Sequence, residues 1–404
     1  MEHIVCALEL TSSGVKMAVG YTYEKKVYIL HSLESIRSKL IYNQIPDTSE
    51  MVASIRELVK SAQDTLKMDF DSCVLVMPSS NMKVVQKHQT VSTTDMHSEI
   101  KVFDGSNLVS MMRKDCRNAF LESNLEVLDI VPISWVDDKN KTYRYFPKGT
   151  ISSELSLNGD CEMIDKLTFE SLTKVVEDAG LSIDKTISGA NATVKLISSH
   201  SDSPQEFIMV DFGAKTTTFS LCYDHRLLSS FCINYGSEDI DEELMREFKI
   251  DKSVAKYYKL TYGLSKDPDF EFKTKEGISL SEISKVIRNS LNRLYTGLEK
   301  YISTLDVSTP SSIMLVGGGS SLLGFSEDVK DRFRINVYSY SPLYLGARSR
   351  QYLNLVSAIK YYSEYELKTS SKRPSDLTLT RVSSSSDELH IKVKNVSDLG
   401  DEKL

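Results

Sequence analysis

The segment from Phe207 to Leu221 constrains the fold of this chain more than any other. An apolar run reaches Asp211, turns through Gly213 and small or hydroxylated residues, and continues as a second run that alternates apolar and polar positions. This pattern predicts a β-hairpin with a polar tip. Backbone N–H groups and threonine hydroxyls at such a tip can bind an anionic oxygen, and the carboxylate can reach hydrated Mg²⁺. Taken alone, the Asp-x-Gly sequence is also consistent with an ordinary turn.

A second segment, near the N-terminus, has the same layout. The apolar run from Ile4 to Leu10 carries Glu9 near its end, Thr11 to Gly14 form a small polar turn, and Val15 to Gly20 return as a second apolar run. Lys16 lies just beyond the tip, where its ammonium group can reach a bound phosphate; a solvated strand residue is the other interpretation. Two hairpins of one layout predict two related lobes.

A glycine-rich turn follows a third apolar run. Ser312 to Val316 reads as a buried strand, Gly317, Gly318 and Gly319 follow it, and a helix is predicted as far as Arg332. Bare glycine backbone lets a flat base or ribose lie against it, and the helix N-terminus faces the phosphates. Because strand-to-helix glycine turns are common, this element is a weak indication by itself.

The composition excludes some classes of function. A chain of 404 residues predicts more than one compact unit. Its 49 basic and 56 acidic residues give a net charge of −7, without a basic stripe of interleaved aromatics, which argues against nucleic acid as a partner. Six scattered cysteines without a CxxC pair indicate reduced thiols, and the N-terminal ten residues resemble neither a signal peptide nor a membrane span. We therefore expect a cytoplasmic protein.

The remaining pattern predicts the order of the domains. Helices are expected at 48–66, 106–122, 169–179, 253–262, 281–305 and 351–367, with 187–192 as a connecting segment. Between Ser79 and Cys161 the pattern changes to a strand–helix–strand–strand module. The predicted units are a first lobe (1–78, 163–190 and 346–368), an inserted α+β subdomain (79–162), a second-lobe core (191–235 and 306–345), a helical subdomain (236–305) and a disordered tail (369–404) rich in serine, lysine and aspartate.

In this order, the two carboxylate-tipped hairpins and the triple-glycine turn resemble the nucleotide signature of the actin-like ATPase superfamily. The fold that this resemblance implies is α/β, an actin-like, ribonuclease H-like duplicated two-lobe ATPase fold with an inserted α+β subdomain. The position of the insertion and the segment from Ser341 to Tyr352 are similar to the FtsA family of bacterial cell-division proteins. The similarity runs from about residue 3 to residue 367.

The resemblance implies a site for ATP or ADP with Mg²⁺ between the lobes. Glu9 and Asp211 would hold Mg²⁺ through water, and both would lie at the catalytic end of the site, Asp211 on the side of the attacking water. The further nucleotide-binding residues that it implies are Ser12, Ser13, Lys16, Gly213, Thr216, Thr217, Gly236, Lys259, Gly317, Gly318 and Gly319.

Several residues depart from the family pattern. Glu9 stands in place of aspartate, Thr11 in place of glycine, and Ala214 and Lys215 in place of glycines, while Lys256 takes the place of the acidic residue that contacts ribose. Hydrolysis requires a water and Mg²⁺ placed to within about an ångström, whereas binding tolerates more. We therefore expect nucleotide binding with slow or absent turnover.

The resemblance also implies partners. FtsA-like proteins form protofilaments, bind the C-terminal peptide of FtsZ on the helical subdomain and attach FtsZ to the inner face of the plasma membrane. Ser290 occupies the position of the family's arginine, and the flanking Arg288 and Arg293 can receive an acidic peptide or form a plain solvated face. Because the tail lacks the aromatic and basic faces of an interfacial helix, we expect a peripheral location at the division site, reached through a partner.

Three other interpretations remain open. The chain can be a pilus-assembly-type actin-like protein that binds a short peptide of a membrane partner. It can be a small-molecule kinase of the same superfamily, although no candidate base other than Asp211 is apparent. It can also be a scaffold that has lost nucleotide binding, which Thr11, Lys215 and Lys256 favour.

Overall fold

The computed structural model describes residues 4–24, 26–93, 99–200, 203–264, 273–305 and 310–366. The predicted disordered tail at 369–404 lies outside these residues. Across the described ranges, no helix combines the length and the apolar character that crossing a bilayer requires.

The first lobe is built around the N-terminal hairpin. Its first elements are β1 (Val5–Leu10), β2 (Val15–Tyr23), β3 (Lys26–Ser35), α1 (Thr48–Leu66) and β4 (Ser72–Met77). Strand β1 pairs antiparallel with β2 and parallel with β4, and its residues are buried throughout. Helix α1 begins as predicted, because the Asp47 side chain accepts the Glu50 backbone N–H. The end of β1 that carries Glu9 is therefore held between two neighbouring strands.

The insertion forms a separate antiparallel sheet with one helix. Its elements are β5 (Lys83–Ser92), α2 (Val102–Ala119), β6 (Leu125–Asp137), β7 (Thr142–Tyr143) and β8 (Glu154–Asp165), with the strand order β5-β8-β6-β7. Helix α2 begins four residues earlier than predicted, because Asp104 accepts the backbone N–H of Lys101 and caps the helix there. The predicted domain boundary at 162 falls inside β8.

The chain then returns to the first lobe and crosses to the second through α3 (Lys166–Asp178), β9 (Ser182–Ser188) and α4 (Gly189–Ile197). The connecting segment predicted at 187–192 comprises the end of β9 and the start of α4. Strand β9 extends the first sheet beside β4, and the side chain of Ser188 accepts the Asn191 N–H to begin α4. The short α4 is buried at every position except Lys195, so it lacks the alternation of apolar and polar faces that identifies a surface helix.

The second lobe repeats the arrangement of the first. Its elements are β10 (Glu206–Phe212), β11 (Thr217–Tyr223), β12 (Arg226–Ile233), α5 (Ser237–Phe248), α6 (Lys252–Thr261), α7 (Leu280–Ser303), β13 (Ser312–Val316), α8 (Phe325–Phe333) and β14 (Asn336–Ser339). Strand β10 pairs antiparallel with β11 and parallel with β13, as β1 does with β2 and β4. Asp211 lies opposite Thr218, and Glu9 lies opposite Lys16. The apolar stripe of α7 is buried, as predicted.

The last described helix, α9 (Leu353–Tyr361), brings the chain back to the first lobe. It follows a short 3₁₀ turn at Arg350–Tyr352 and ends in a π turn that reaches Glu366, so the helix predicted from residue 351 begins two residues later. Helix α9 packs against α4 and β1. The two helices at which the chain crosses between the lobes therefore lie against each other.

The insertion also contacts the second lobe. Arg226 on β12 forms a two-pronged ion pair with Asp160 on β8, at Nε–Oδ2 2.8 Å and Nη2–Oδ1 2.6 Å. Near it, the backbone N–H of Cys232 donates to Asn81 Oδ1 at 3.0 Å, and that of Met82 donates to Ser230 Oγ at 2.9 Å. The insertion is thus bound to both lobes.

Replacing Arg226 by alanine is expected to lower the free energy of unfolding by about 2 kcal/mol, because the buried Asp160 carboxylate loses its partner. Urea unfolding followed by circular dichroism measures this loss. Arg117→Ala, which breaks a more exposed pair with Glu126, is the control and should cost less than about 1 kcal/mol. Equal losses in the two variants would contradict a structural role for the Arg226–Asp160 pair.

Candidate functional site

A cleft between the lobes collects the predicted signature residues. The carboxyl ends of β1 and β10 and the turn after β13 open into it, because each strand runs parallel to a neighbour and ends at the same edge of its sheet. The predicted residues that line it are Glu9, Ser12, Ser13, Lys16, Asp211, Gly213, Thr216, Gly317 and Gly318. Three elements far apart in sequence therefore share one cavity.

The tips of the two hairpins meet across this cleft. The backbone N–H of Lys215 donates to Ser12 Oγ at 3.2 Å. In the first tip, Thr11 Oγ1 donates to Gly14 O at 2.8 Å and accepts the backbone N–H groups of Ser13 and Gly14, each at 3.2 Å. The threonine hydroxyl thus satisfies backbone donors that a glycine at this position would leave free for a phosphate.

Glu9 is buried, Asp211 is partly buried, and Asn354 and Lys16 lie near both. Burial raises the pKa of Glu9 to about 7, against the opposing effects of Lys16 and of a hydrogen bond from Asn354 Nδ2 to Glu9 Oε1 at 2.8 Å. Burial likewise raises the pKa of Asp211, and the Asn354 amide and Lys16 again oppose the shift. Lys16 Nζ also donates to the carbonyl oxygen of Gln351 at 3.3 Å. A nearby positive charge would therefore stabilise the ionised form of both carboxyl groups.

This donor set fits hydrated Mg²⁺. The described residues contain no group of three or more His, Cys, Asp and Glu side chains that could hold a metal directly. Mg²⁺ normally keeps several waters and binds proteins through one or two carboxylates. Glu9 and Asp211 supply such a pair, and Lys16 adds a positive charge for a phosphate. The chemistry that bound Mg²⁺ would supply is neutralisation of phosphate charge.

Two functional residues of the cleft were missed by sequence reasoning. Asn354 lies on α9 among buried apolar residues, and a polar residue on an apolar helix face was the available signal. Arg350 also lines the cleft. Its Nη1 donates to Ser320 O at 2.6 Å, and its Nε donates to Ser341 Oγ at 2.6 Å. Arg350 thus ties the segment before α9 to the glycine turn.

Two residues predicted to bind nucleotide lie outside the cleft. Thr217 is fully buried, and its hydroxyl donates to the carbonyl of Tyr235 at 2.7 Å. Its neighbours Thr216 and Thr218 line the cleft instead, because side chains alternate between the faces of a strand. Gly236 packs its backbone against Ala214, where a Cβ atom would collide.

Lys259 and Gly319 are also committed elsewhere. Lys259 is buried, and its ammonium donates to Asp241 Oδ2 at 2.8 Å and to Ser237 O at 2.7 Å, so it does not line the cleft. Gly319 lies against the ring of Phe212, where a Cβ atom would come within 2.7 Å of Cγ. These residues shape the walls of the second lobe rather than the surface of the cavity.

The predicted peptide-binding arginines have intramolecular partners. Arg288 Nε donates to Asp328 Oδ1 at 3.0 Å. Arg293 Nη1 lies 3.5 Å from Asp239 Oδ1, and the Arg293 guanidinium group stacks over the Tyr235 ring. Both side chains are about half exposed. Ser290, between them, is buried against the Tyr235 hydroxyl.

Known structures show the class of the fold. A type IV pilus biogenesis complex of PilM and PilN aligns with a TM-score of 0.59 at 16% identity, over 89% of this chain and 98% of that one. MreB5 of Spiroplasma citri bound to ADP aligns with a TM-score of 0.53 at 11% identity, over 89% and 96%. The predicted actin-like two-lobe fold is confirmed.

Sequence similarity narrows this class. No family model matches the chain. The cell division protein FtsA of Streptococcus pneumoniae is 21% identical over 375 residues, which cover 89% of this chain and 80% of the relative. FtsA of Bacillus subtilis is 20% identical over 367 residues, or 88% and 82%. Over most of its length the chain is therefore similar in sequence to FtsA proteins.

The raised pKa of Glu9 predicts a pH-dependent stability in the ligand-free protein. From its ordinary value of 4.5 to about 7, the folded chain holds a proton at Glu9 that the unfolded chain releases. The stabilisation is fully present below pH 4.5 and is lost as pH rises through 7. We expect the free energy of unfolding to fall by about 2 to 3 kcal/mol from this group between pH 5 and pH 8.

Urea unfolding at both pH values measures this fall. Glu9→Gln should remove most of it, whereas Asp211, whose pKa is also raised, keeps a remainder. The exposed Glu57→Gln is the control. An unchanged pH dependence in Glu9→Gln would contradict the burial of a titrating carboxyl group at this position.

Proposed function

We propose that this chain is an actin-like cell-division protein that binds ATP or ADP with Mg²⁺ in the interlobe cleft and hydrolyses it slowly or not at all. The convergence of Glu9, Asp211 and Gly318 on one cavity carries the proposal. In this role Glu9 and Asp211 hold Mg²⁺ through water, and Lys16 faces the phosphates.

The glycine turn supports a nucleoside on the second-lobe side. Gly317 has a φ of +81°, and a Cβ atom there would collide with the Asp211 carboxylate. Only glycine therefore lets the backbone pass beside that carboxylate. Gly318 faces open space, because a Cβ atom added there would meet no atom closer than Gln351 Cβ at 3.9 Å. This bare surface suits a flat base or ribose.

Other contacts support slow turnover. Thr11 uses two backbone donors of the first tip, and the Ser12–Lys215 contact uses one of the second. Lys259 is paired with Asp241 and is not directed into the cleft. A bound nucleotide would have to replace the Ser12–Lys215 hydrogen bond with a contact of its own. These constraints disturb the position of a γ-phosphoryl group more than they weaken binding of the nucleotide.

The proposed partners follow from the FtsA relatives. The helical subdomain would receive the acidic C-terminal peptide of FtsZ at Arg288 and Arg293, where the peptide competes with Asp328 and Asp239. We further propose self-association into protofilaments and a peripheral position at the cytoplasmic face of the plasma membrane at the division site, reached through a partner.

A pilus-assembly-type role is the second candidate. The PilM of the aligned complex binds PilN, and the alignment covers nearly all of that chain. A short peptide of a membrane partner would then replace the FtsZ peptide. The sequence relatives along most of the chain are FtsA proteins, which favours the division role.

Gly318→Ala is expected to weaken Mg·ATP binding about tenfold, because the added methyl group occupies the surface on which the nucleoside lies. Its midpoint of thermal unfolding should match that of the wild type, since the methyl meets no protein atom closer than 3.9 Å. Isothermal titration calorimetry measures the affinity. Failure of the wild type to bind, or unchanged affinity in the variant, would contradict nucleotide binding on the glycine turn.

The double variant Arg288→Ala/Arg293→Ala is expected to weaken binding of a fluorescent FtsZ C-terminal peptide by about tenfold, because charge-assisted hydrogen bonds are lost. Fluorescence anisotropy at low and moderate salt measures this change. Arg332→Ala, on the neighbouring α8 and paired with Glu299, is the matched control. Binding of a PilN-type peptide in preference to that of FtsZ would support the pilus role instead.

A further inference from the structure

The side-chain amide of Asn354 connects the carboxyl groups of the cleft to another part of the fold. Its Nδ2 donates to Glu9 Oε1 at 2.8 Å, and it lines the cleft together with Asp211. Glu9 lies next to last in the central strand of the first lobe, and Asp211 lies next to last in that of the second. The amide therefore bonds one of the two carboxylates and lies in the same cavity as the other.

The other end of the same amide contacts the crossing helix α4. Thr193 Oγ1, on α4, donates to Asn354 Oδ1 at 3.0 Å. A Cβ atom on Gly189, the first residue of α4, would lie 3.2 Å from Asn354 Cγ, so the amide is also packed against the start of that helix. Asn354 itself lies in the first turn of α9, the other crossing helix.

The chemistry of asparagine suits this position. Its amide donates an N–H to Glu9 and presents its carbonyl oxygen to the threonine hydroxyl, so the two contacts use opposite ends of the amide. A carboxylate there would repel Glu9 and Asp211, and an apolar residue would leave Glu9 without this donor.

We propose that Asn354 is the positioning residue of the cleft: it holds Glu9 in place beside Asp211 and, through Thr193, couples the position of Glu9 to helix α4. When a hydrated cation takes over the hydrogen bond of Glu9, the amide shifts and α4 responds. This coupling rests on the proposed function for its ligand, whereas the positioning role exists in the ligand-free protein.

Three variants of the full chain separate these roles. Asn354→Leu removes both ends of the amide while keeping the number and branching of the side-chain heavy atoms, and Asn354→Ala leaves space for water should the larger leucine fail to fit. Thr193→Val removes only the hydroxyl that contacts Asn354. Thr173→Val, whose hydroxyl bonds the backbone of α3, is the matched control away from the cleft.

Hydrogen–deuterium exchange and calorimetry with Mg·ATP are the measurements. Without ligand, Asn354→Leu should raise exchange about tenfold at both hairpin tips, residues 9–14 and 211–216, while Thr193→Val leaves the tips unchanged. With Mg·ATP, the wild type should show altered exchange in residues 189–197. Thr193→Val should bind within about threefold of the wild type and lose that response, and Asn354→Leu should bind about tenfold more weakly.

Each outcome decides one part of the inference. Unchanged exchange at the tips in the Asn354 variants overturns the positioning role, whether or not nucleotide binds. A full α4 response in Thr193→Val overturns the coupling through Thr193. If the wild type does not bind Mg·ATP, the proposed function and the ligand-driven coupling both fail, and exchange at the tips still decides the role of Asn354.

Discussion

The architecture of this chain depends on two carboxyl groups, one buried and one partly buried, near the ends of two equivalent strands. Glu9 and Asp211 each lie next to last in the central strand of a sheet, and burial raises the pKa of both. A buried charge is tolerated only where hydrogen bonds or opposite charges compensate it. Lys16 and Asn354 provide that compensation from β2 and α9. The lobes therefore close around a polar centre that is stabilised by contacts from several elements.

Local sequence patterns predicted the parts of the molecule that local interactions determine. The two hairpins, α1 and the buried stripe of α7 follow from alternation, capping and 3.6-residue periodicity, which neighbouring residues encode. Strand β9 was missed because Ser182, Asp184 and Lys185 interrupt its apolar positions. Helix α4 was missed because it is buried on all sides, so its pattern carries no periodicity.

The side chains of the cleft were predictable only where strand geometry determines them. Glu9 and Asp211 lie near the ends of strands and Gly318 lies in the turn after one, and topology brings such ends together. Thr217 differs from Thr216 and Thr218 only in the face of β11 to which it points. Asn354 lies 345 residues from Glu9 along the chain, so no local pattern records their contact.

The position of the insertion has a consequence for strand pairing between molecules. Strand β12 is an edge of the second sheet, and exposed edges present unpaired backbone groups that recruit strands from other chains. Here Asn81 accepts the Cys232 N–H from that edge, and Ser230 is bonded to the backbone of Ser79 and Met82. The insertion therefore covers part of the β12 edge and hinders the pairing of β12 with a strand of another chain. Extension of the second sheet by another chain would then occur at β14, the opposite edge.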